Sequence, residues 1–247
     1  EDRQSAYTSE VEGVSYPPPT PPPSTLVGPT YFWAGNLPSL RTQDNVPGMY
    51  IAASGYLTSW PGAAIMLSVD NGVSYQQVET ITQPSTMGSL TSPVTADGEP
   101  LSVFMVSGEL DSVSDNQLAN RMNAWAVTTD ATSELGQFKT ATITTPRNYD
   151  LTDLVRGVLG TTPASHNTGD PFVMVATSIF LPLDISLAGR VIIFKAVTFG
   201  TSEDDAEEYP VLFSPLFTTI TIEQYTDDAG NPYTDDQNNP YYYEVSA

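Results

Sequence analysis

From Tyr31 onward, short apolar runs alternate with clusters of Gly, Pro and Asn, a pattern that predicts strands joined by turns. Residues 49–53 (Met-Tyr-Ile-Ala-Ala) and 64–69 (Ala-Ile-Met-Leu-Ser-Val) are the first two such runs. Asp70-Asn71-Gly72 separates the second from Val73-Ser74-Tyr75, and Asn-Gly supplies the positive φ angles of a hairpin turn. Residues 101–106, 138–143, 171–180 and 190–199 follow. The last two runs are apolar on both alternating faces, which predicts cover on both sides, between two sheets or at an interface. One helix is expected, capped by Ser114 or Asp115, with Leu118, Arg121, Met122 and Trp125 at i, i+3, i+4 and i+7. Leu151, Leu154 and Val155 suggest a further helical turn, and residues 216–225 a final strand. The fold class this predicts is all-β: a multi-stranded antiparallel sandwich or barrel-like module with one or two short helices.

Three regions follow from the changes in composition. Residues 1–30 form a Pro-rich linker, with six prolines in the seven positions 17–23. Proline lacks the N–H that a sheet needs and favours extended polyproline II, so this is a semi-rigid spacer in preference to an SH3-type ligand. Residues 31–200 are the β-rich module. Residues 201–247 hold an acidic loop (203–208), the final strand and a Tyr/Asp-rich C-terminal segment. That segment repeats imperfectly, Asp227-Asp228-Ala229-Gly230-Asn231-Pro232-Tyr233 and Asp235-Asp236-Gln237-Asn238-Asn239-Pro240-Tyr241, and reads as two turns. The chain opens at Glu1-Asp2-Arg3, which suggests a piece of a longer protein.

Charge narrows the choice of partners. Eight Lys or Arg oppose 29 Asp or Glu, a formal net charge of −21. Such a surface repels phosphate backbones and anionic lipid, so neither nucleic acid nor a membrane surface is an expected partner. No apolar run approaches the ~20 residues that span a bilayer as a helix. With no cysteine, disulfides and thiolate metal sites are excluded.

The catalytic inventory is thin, and no cofactor is expected. His166 is the only histidine, so a Ser-His-Asp triad would have to use it as base, and no Gly-x-Ser-x-Gly elbow supports one. Its polar neighbours Ser165 and Asn167 favour a loop-stabilising role. Neither a P-loop nor a Gly-x-Gly-x-x-Gly is present. Carboxylates abound, but abundance is not the paired geometry that glycoside hydrolysis requires. The two Asp/Asn-rich turns offer hard oxygen ligands for Ca²⁺, yet neither matches the Asp-x-Asp-x-Asp-Gly loop, and simple turns explain both. Ser68-Val69-Asp70-Asn71-Gly72-Val73-Ser74-Tyr75 is similar to an Asp-box, a structural hairpin that propellers repeat once per blade and that occurs here once.

Several stretches together resemble phage tail-tip proteins related to the hub protein of gene transfer agents. These are residues 44–53, Trp60-Pro61-Gly62-Ala63, Val106 to Ser112, Asn120 to Ala126, Gly136 to Ala141, and above all residues 137–173. In that family a Tyr-x-Leu-x-x-Leu-x-Arg-Gly-x-x-Gly-Thr signature precedes His-x-x-Gly-acid-x-Phe. Here Tyr149, Leu151, Leu154, Arg156, Gly157, Gly160, Thr161, His166, Gly169, Asp170 and Phe172 hold those positions in order. The resemblance spans about residues 35–200. It departs from the family at Val158-Leu159, where a polar pair is common, and at Asn120 to Ala124, where a Gly-richer version is usual.

The signature has a structural physics: Gly157 and Gly160 permit turns at positive φ. Arg156 is expected to satisfy loop carbonyls or to pair with Asp170 or Asp153, with His166 fixing the same loop. The resemblance implies no catalytic residue, no cofactor and no metal. It implies instead a structural role in a virion: a baseplate hub or central tail-tip protein, built as a homotrimer, touching distal tail, tail tube or fibre proteins and contributing to host attachment. Two other classes stay open from the residues. One is a receptor- or carbohydrate-binding fibre module, with Trp33, Trp60 and Tyr241-Tyr242-Tyr243 as stacking platforms. The other is a cell-wall glycoside hydrolase.

Overall fold

The computed structural model describes residues 27–128, 133–216, 221–224 and 242–245. The Pro-rich run 17–23, both Asp/Asn-rich turns and Tyr241 lie outside the described residues. In chain order the strands are β1 (Thr30–Gly35), β2 (Gly48–Gly55), β3 (Ala63–Ser68), β4 (Gln76–Ile81), β5 (Met87–Leu90) and β6 (Leu101–Ser107). The one α-helix among the described residues, α1 (Asp115–Ala119), comes next. It is followed by β7 (Ala124–Thr128), β8 (Ser133–Thr145), β9 (Asn148–Arg156), β10 (Pro171–Met174) and β11 (Ile179–Pro182). β12 (Val191–Thr198), β13 (Glu208–Leu212), β14 (Thr221–Gln224) and β15 (Tyr242–Val245) complete the series. All the strand ladders are antiparallel, so the fold is all-β, as expected, and contains both a sandwich and a barrel.

The sandwich comes from the two ends of the described chain. β1, β2 and β11 form one sheet; β13, β12, β3 and β4 form the other. Between them lie Phe32, Met49, Ile51, Ile65, Ile192, Phe194 and Phe213, all buried. Each such side chain contributes roughly 1.5–3 kcal/mol when removed from water.

The barrel comes from the middle. β5, β6, β9, β8 and β7 follow one another around it, and β10 closes it by pairing with both β5 and β7. Trp125, Phe138, Phe172, Val103, Met105 and Leu151 fill its interior. Trp125 pairs in register with Gly136, and a Cβ at Gly136 would occupy the space of the indole ring. The ends of the barrel segment meet. Thr86 N donates to Thr177 Oγ1 at 2.9 Å, Ser85 Oγ to Thr177 O at 3.0 Å, and Met174 N to Thr86 O at 2.9 Å. The barrel is therefore an insertion between β4 and β11, with its entry and exit side by side.

β2 is buried on both faces because it serves both units. Met49, Ile51 and Ala53 face the sandwich core. Tyr50 and Ala52, with Trp33, pack against Met87, Ala126, Leu135 and Val173 of the barrel. Tyr31 Oη donates to Gly88 O at 3.0 Å and Trp33 Nε1 to Thr128 Oγ1 at 3.1 Å, pinning the junction.

Four elements differ from the expectations. The helix has the Ser114 capping box but ends at Ala119, because Arg121 (φ 61°) and Asn123 (φ 55°) turn left-handed, and Trp125 belongs to β7. The helical turn expected at Leu151, Leu154 and Val155 is strand β9. Asp153 takes φ 54° there, shifting the alternation by one so that Leu151 and Leu154, three apart, both pack on the barrel interior. The single strand expected over 171–180 is two, β10 in the barrel and β11 in the sandwich, divided by a 3-10 turn at Val175–Thr177 where the chain changes unit. Of the final strand over 216–225, Leu216 makes a parallel bridge to Pro38 and Thr221–Gln224 forms β14, paired with β15; residues 217–220 and 225 lie outside the described set.

The inner face of β12 is covered within the chain, and its outer face only in part, with Val191 56% exposed and Phe199, just beyond the strand, 38% exposed. Ile192, Phe194 and Ala196 face the sandwich core. On the other side Lys195 Nζ sits 4.3 Å from the Tyr75 ring centroid and 3.5 Å from Glu208, and Tyr75 Oη donates to Glu208 at 2.7 Å. The cover expected on both faces is thus complete on one, and Val191 of β12 lies beside Leu212 of β13, 51% exposed, on the open part of the other.

Candidate functional site

The signature residues converge on one corner of the barrel. Arg156, the last residue of β9, is in register with Gly136 of β8, and Glu134 lies two residues before Gly136 on the same face. The Arg156 side chain points along that face into a bidentate pair with Glu134, Nε to Oε1 at 2.5 Å and Nη2 to Oε2 at 2.8 Å. Its remaining donors reach Ala164 O at 2.7 Å and Thr95 O at 3.2 Å, and the guanidinium lies 5.7 Å from the Trp125 ring. Asp153, one of the partners expected for Arg156, instead accepts from Thr140 at 2.7 Å, and Asp170 accepts from Asn167 N at 2.8 Å.

Glu134 is 1% exposed. Burial alone would raise its pKa. Donation from Arg156, His166 Nε2 (2.8 Å) and Ala164 N (2.9 Å) outweighs that and holds the carboxyl at about 2. His166 is as deeply buried, and its backbone exchanges both hydrogen bonds with Val94, tying the 157–170 loop to the strand-like segment before β6. Nε2 faces the Glu134 carboxylate and donates to it, while Nδ1 has no hydrogen-bond partner and lies 3.7 Å from Asp170.

The rest of the signature shapes this loop. Gly157 (φ 67°) and Gly160 (φ 78°) take the left-handed conformations that glycine allows, and a Cβ on Gly157 would come within 2.7 Å of Pro163. Thr161 Oγ1 accepts from Leu135 N at 3.0 Å and donates to Val158 O at 2.9 Å. Gly169 (φ 92°) turns the chain into Asp170 and then Phe172, which is fully buried beside Trp125. Tyr149, Leu151 and Leu154 line the barrel below. The eleven residues thus act as one closed corner.

Sequence reasoning missed Glu134, the residue around which that corner is organised. Among the described residues no side-chain hydroxyl is hydrogen-bonded to His166, whose ring lies inside the protein. Among the described residues, no group of three His, Cys, Asp or Glu side chains is arranged to hold a metal ion. No described helix is long and apolar enough to cross a membrane.

The Asp-box-like hairpin joins β3 to β4 through residues 69–75, with Asn71 (φ 63°) and Gly72 (φ 84°) at the tip. Asp70 accepts from Ser74 Oγ (2.6 Å), Ser74 N (2.9 Å) and Ser68 Oγ (2.7 Å), and these donors hold its carboxyl at about 2. The arrangement closes the loop on itself. Trp33 is sealed in the junction, and Trp60 is partly buried with Nε1 donating to Thr30 at 2.9 Å.

Residues 80–173 match the family model described as Rcc01698-like, C-terminal. That match covers less than half of the chain, runs from the end of β4 to β10, and takes in the whole corner. No curated protein matches the chain.

Proposed function

We propose that this chain is a structural component of a tailed-bacteriophage tail tip, a part of the baseplate hub whose barrel is a scaffold and not a catalytic centre. The observation that carries the reading is the coincidence of the family match with the closed barrel, since the matched family's name is associated with gene transfer agent proteins. Those particles are themselves tail-bearing, as the resemblance of the Tyr149–Phe172 signature implies. The corner supports the structural half of the proposal. Its one histidine and its buried carboxylate, Glu134, are committed to each other and to Arg156.

In this reading copies surround the tail axis with cyclic symmetry, as a trimer, and bind distal tail, tail tube or fibre proteins. Cryo-electron microscopy of purified particles containing this protein tests it. The expected result is density at the distal end of the tail, on its axis, into which barrel and sandwich fit together. Particles that lack the chain, or that carry it only along lateral fibres, would overturn the hub assignment.

A further inference from the structure

The junction of barrel and sandwich forms a half-open groove of about 360 Å³ whose wall both units share. That is near the small end of ligand pockets, which run from ~300 to ~1,000 Å³. Leu40 and Arg41 come from the segment before β2, Arg121 and Met122 from the turn between α1 and β7, and Met174 and Val175 from the exit of the barrel.

The charges there are unlike those elsewhere on the molecule. Among the described residues, basic side chains otherwise have a partner: Arg41 on Asp44, Lys139 on Asp115, Arg156 on Glu134, Lys195 on Glu208, Arg190 on Val69 O, and Arg147 on Val106 O and the Phe104 ring. Of the described basic residues, Arg121 alone has no side-chain ion pair, hydrogen bond or ring contact, and it is exposed to solvent. Asp44 neutralises Arg41 through a bidentate pair, so the net charge of the groove wall rests on Arg121. Its backbone sits at φ 61°, a conformation arginine rarely adopts, at the turn that also ends the helix. An unpaired guanidinium beside Met122, Met174 and Val175 is thus an exception on a chain of net charge −21.

We propose that this groove receives an acidic peptide segment of a partner protein, with a carboxylate on Arg121 and a neighbouring apolar side chain against the methionines and Val175. A single carboxylate next to apolar surface matches the wall. Long polyanions would meet the −21 background at every other point, and a second copy of this chain would bring the same repulsion. Arginine suits a carboxylate because its planar fork donates two parallel hydrogen bonds. The inference does not depend on whether the chain belongs to a phage tail.

The test is fluorescence anisotropy on the full chain with a labelled hexapeptide alternating Asp with Leu and Phe, beside the same peptide with Asn in place of Asp. The Asp peptide should bind at least about tenfold more tightly. Arg121→Gln should remove that preference, and Arg121→Lys should keep part of it. Arg190→Gln, which changes an arginine outside the groove, should leave it intact. An unchanged thermal midpoint for Arg121→Gln confirms that the variant is folded.

Equal affinity for the two peptides, an Arg121→Gln variant that binds as the parent does, or no binding of the Asp peptide up to about 1 mM, where association is worth only ~4 kcal/mol, would each overturn the proposal. So would sedimentation showing self-association that Arg121→Gln abolishes, because the occupant would then be a second copy.

Discussion

The barrel and the sandwich are built from the same alternating strands, yet they are assembled and held in different ways. The barrel is one continuous stretch of chain, three of its six strand pairings join consecutive strands, and it contains a buried polar cluster, Glu134, Arg156 and His166. The sandwich joins two stretches that the barrel separates, pairing Ala63 with Thr198 and Ile51 with Ile179, and its core is apolar. Closing so long a loop costs entropy before any contact is made. The barrel shortens that loop in effect, because its ends meet at Thr86 and Thr177. The sandwich is thus organised around an insertion, and the family match, which ends at Val173, follows the same division.

The largest expected effect falls on the charged corner. Glu134→Ala leaves Arg156 and His166 buried without their shared acceptor, and breaking a buried pair in this way costs about 3–5 kcal/mol. For a chain of this size each kcal/mol lowers the thermal midpoint by roughly 2–4 °C. A calorimetric midpoint within a degree of the parent would mean that the corner does not support the barrel.

Acid should separate the two units next. The Glu134 carboxyl has a folded pKa of about 2 against an ordinary 4.5. A depressed acid contributes stability fully present above the unfolded value and lost as pH falls through the folded one. The barrel should therefore weaken between about pH 4.5 and 2, by on the order of 2–3 kcal/mol. Hydrogen exchange at pH 7 and pH 3, corrected for intrinsic rates, should show β8 and β9 losing more protection than β3 and β12, because the depressed acids near those strands, Asp70 and Glu208, are exposed and screened by solvent. Equal loss in both units, or a Glu134→Gln variant with the parent's acid sensitivity, would remove Glu134 as the cause.

The smallest effects distinguish the glycines of the corner. Gly160→Ala meets no neighbour and bears only the left-handed backbone cost, about 1 kcal/mol. Gly157→Ala adds the contact with Pro163 and should cost about 2–3 kcal/mol in urea unfolding. Equal costs would mean that the loop shifts to accommodate the methyl group.

Much of the fold was legible because alternation and turn chemistry are local. The runs at 49–53, 64–69, 101–106 and 190–199 became β2, β3, β6 and β12, and Asn71-Gly72 took positive φ where a hairpin needs it. The failures arose where one backbone angle redirected a face. A left-handed Asp153 gave a strand the i, i+3 spacing of a helix, and left-handed Arg121 and Asn123 sent Trp125 into a barrel. The corner was half legible. The glycines, Arg156 and His166 stood out, but Glu134 reads in sequence as one more surface acid among 29. Its parity with Gly136 and Phe138 on β8 was the available signal, since an acid on the inward face demands a cation. Which cation required the register with β9, and register is set across strands.

The barrel is one closed, continuous segment, and its charged corner lies wholly within it. The direct measurement is thermal unfolding of residues 84–178 expressed alone, followed by circular dichroism, for the parent and for Glu134→Gln. A cooperative transition is expected for the parent segment, with a midpoint lower by several degrees in the variant. A segment that shows no transition, or one whose midpoint ignores the substitution, would contradict that expectation.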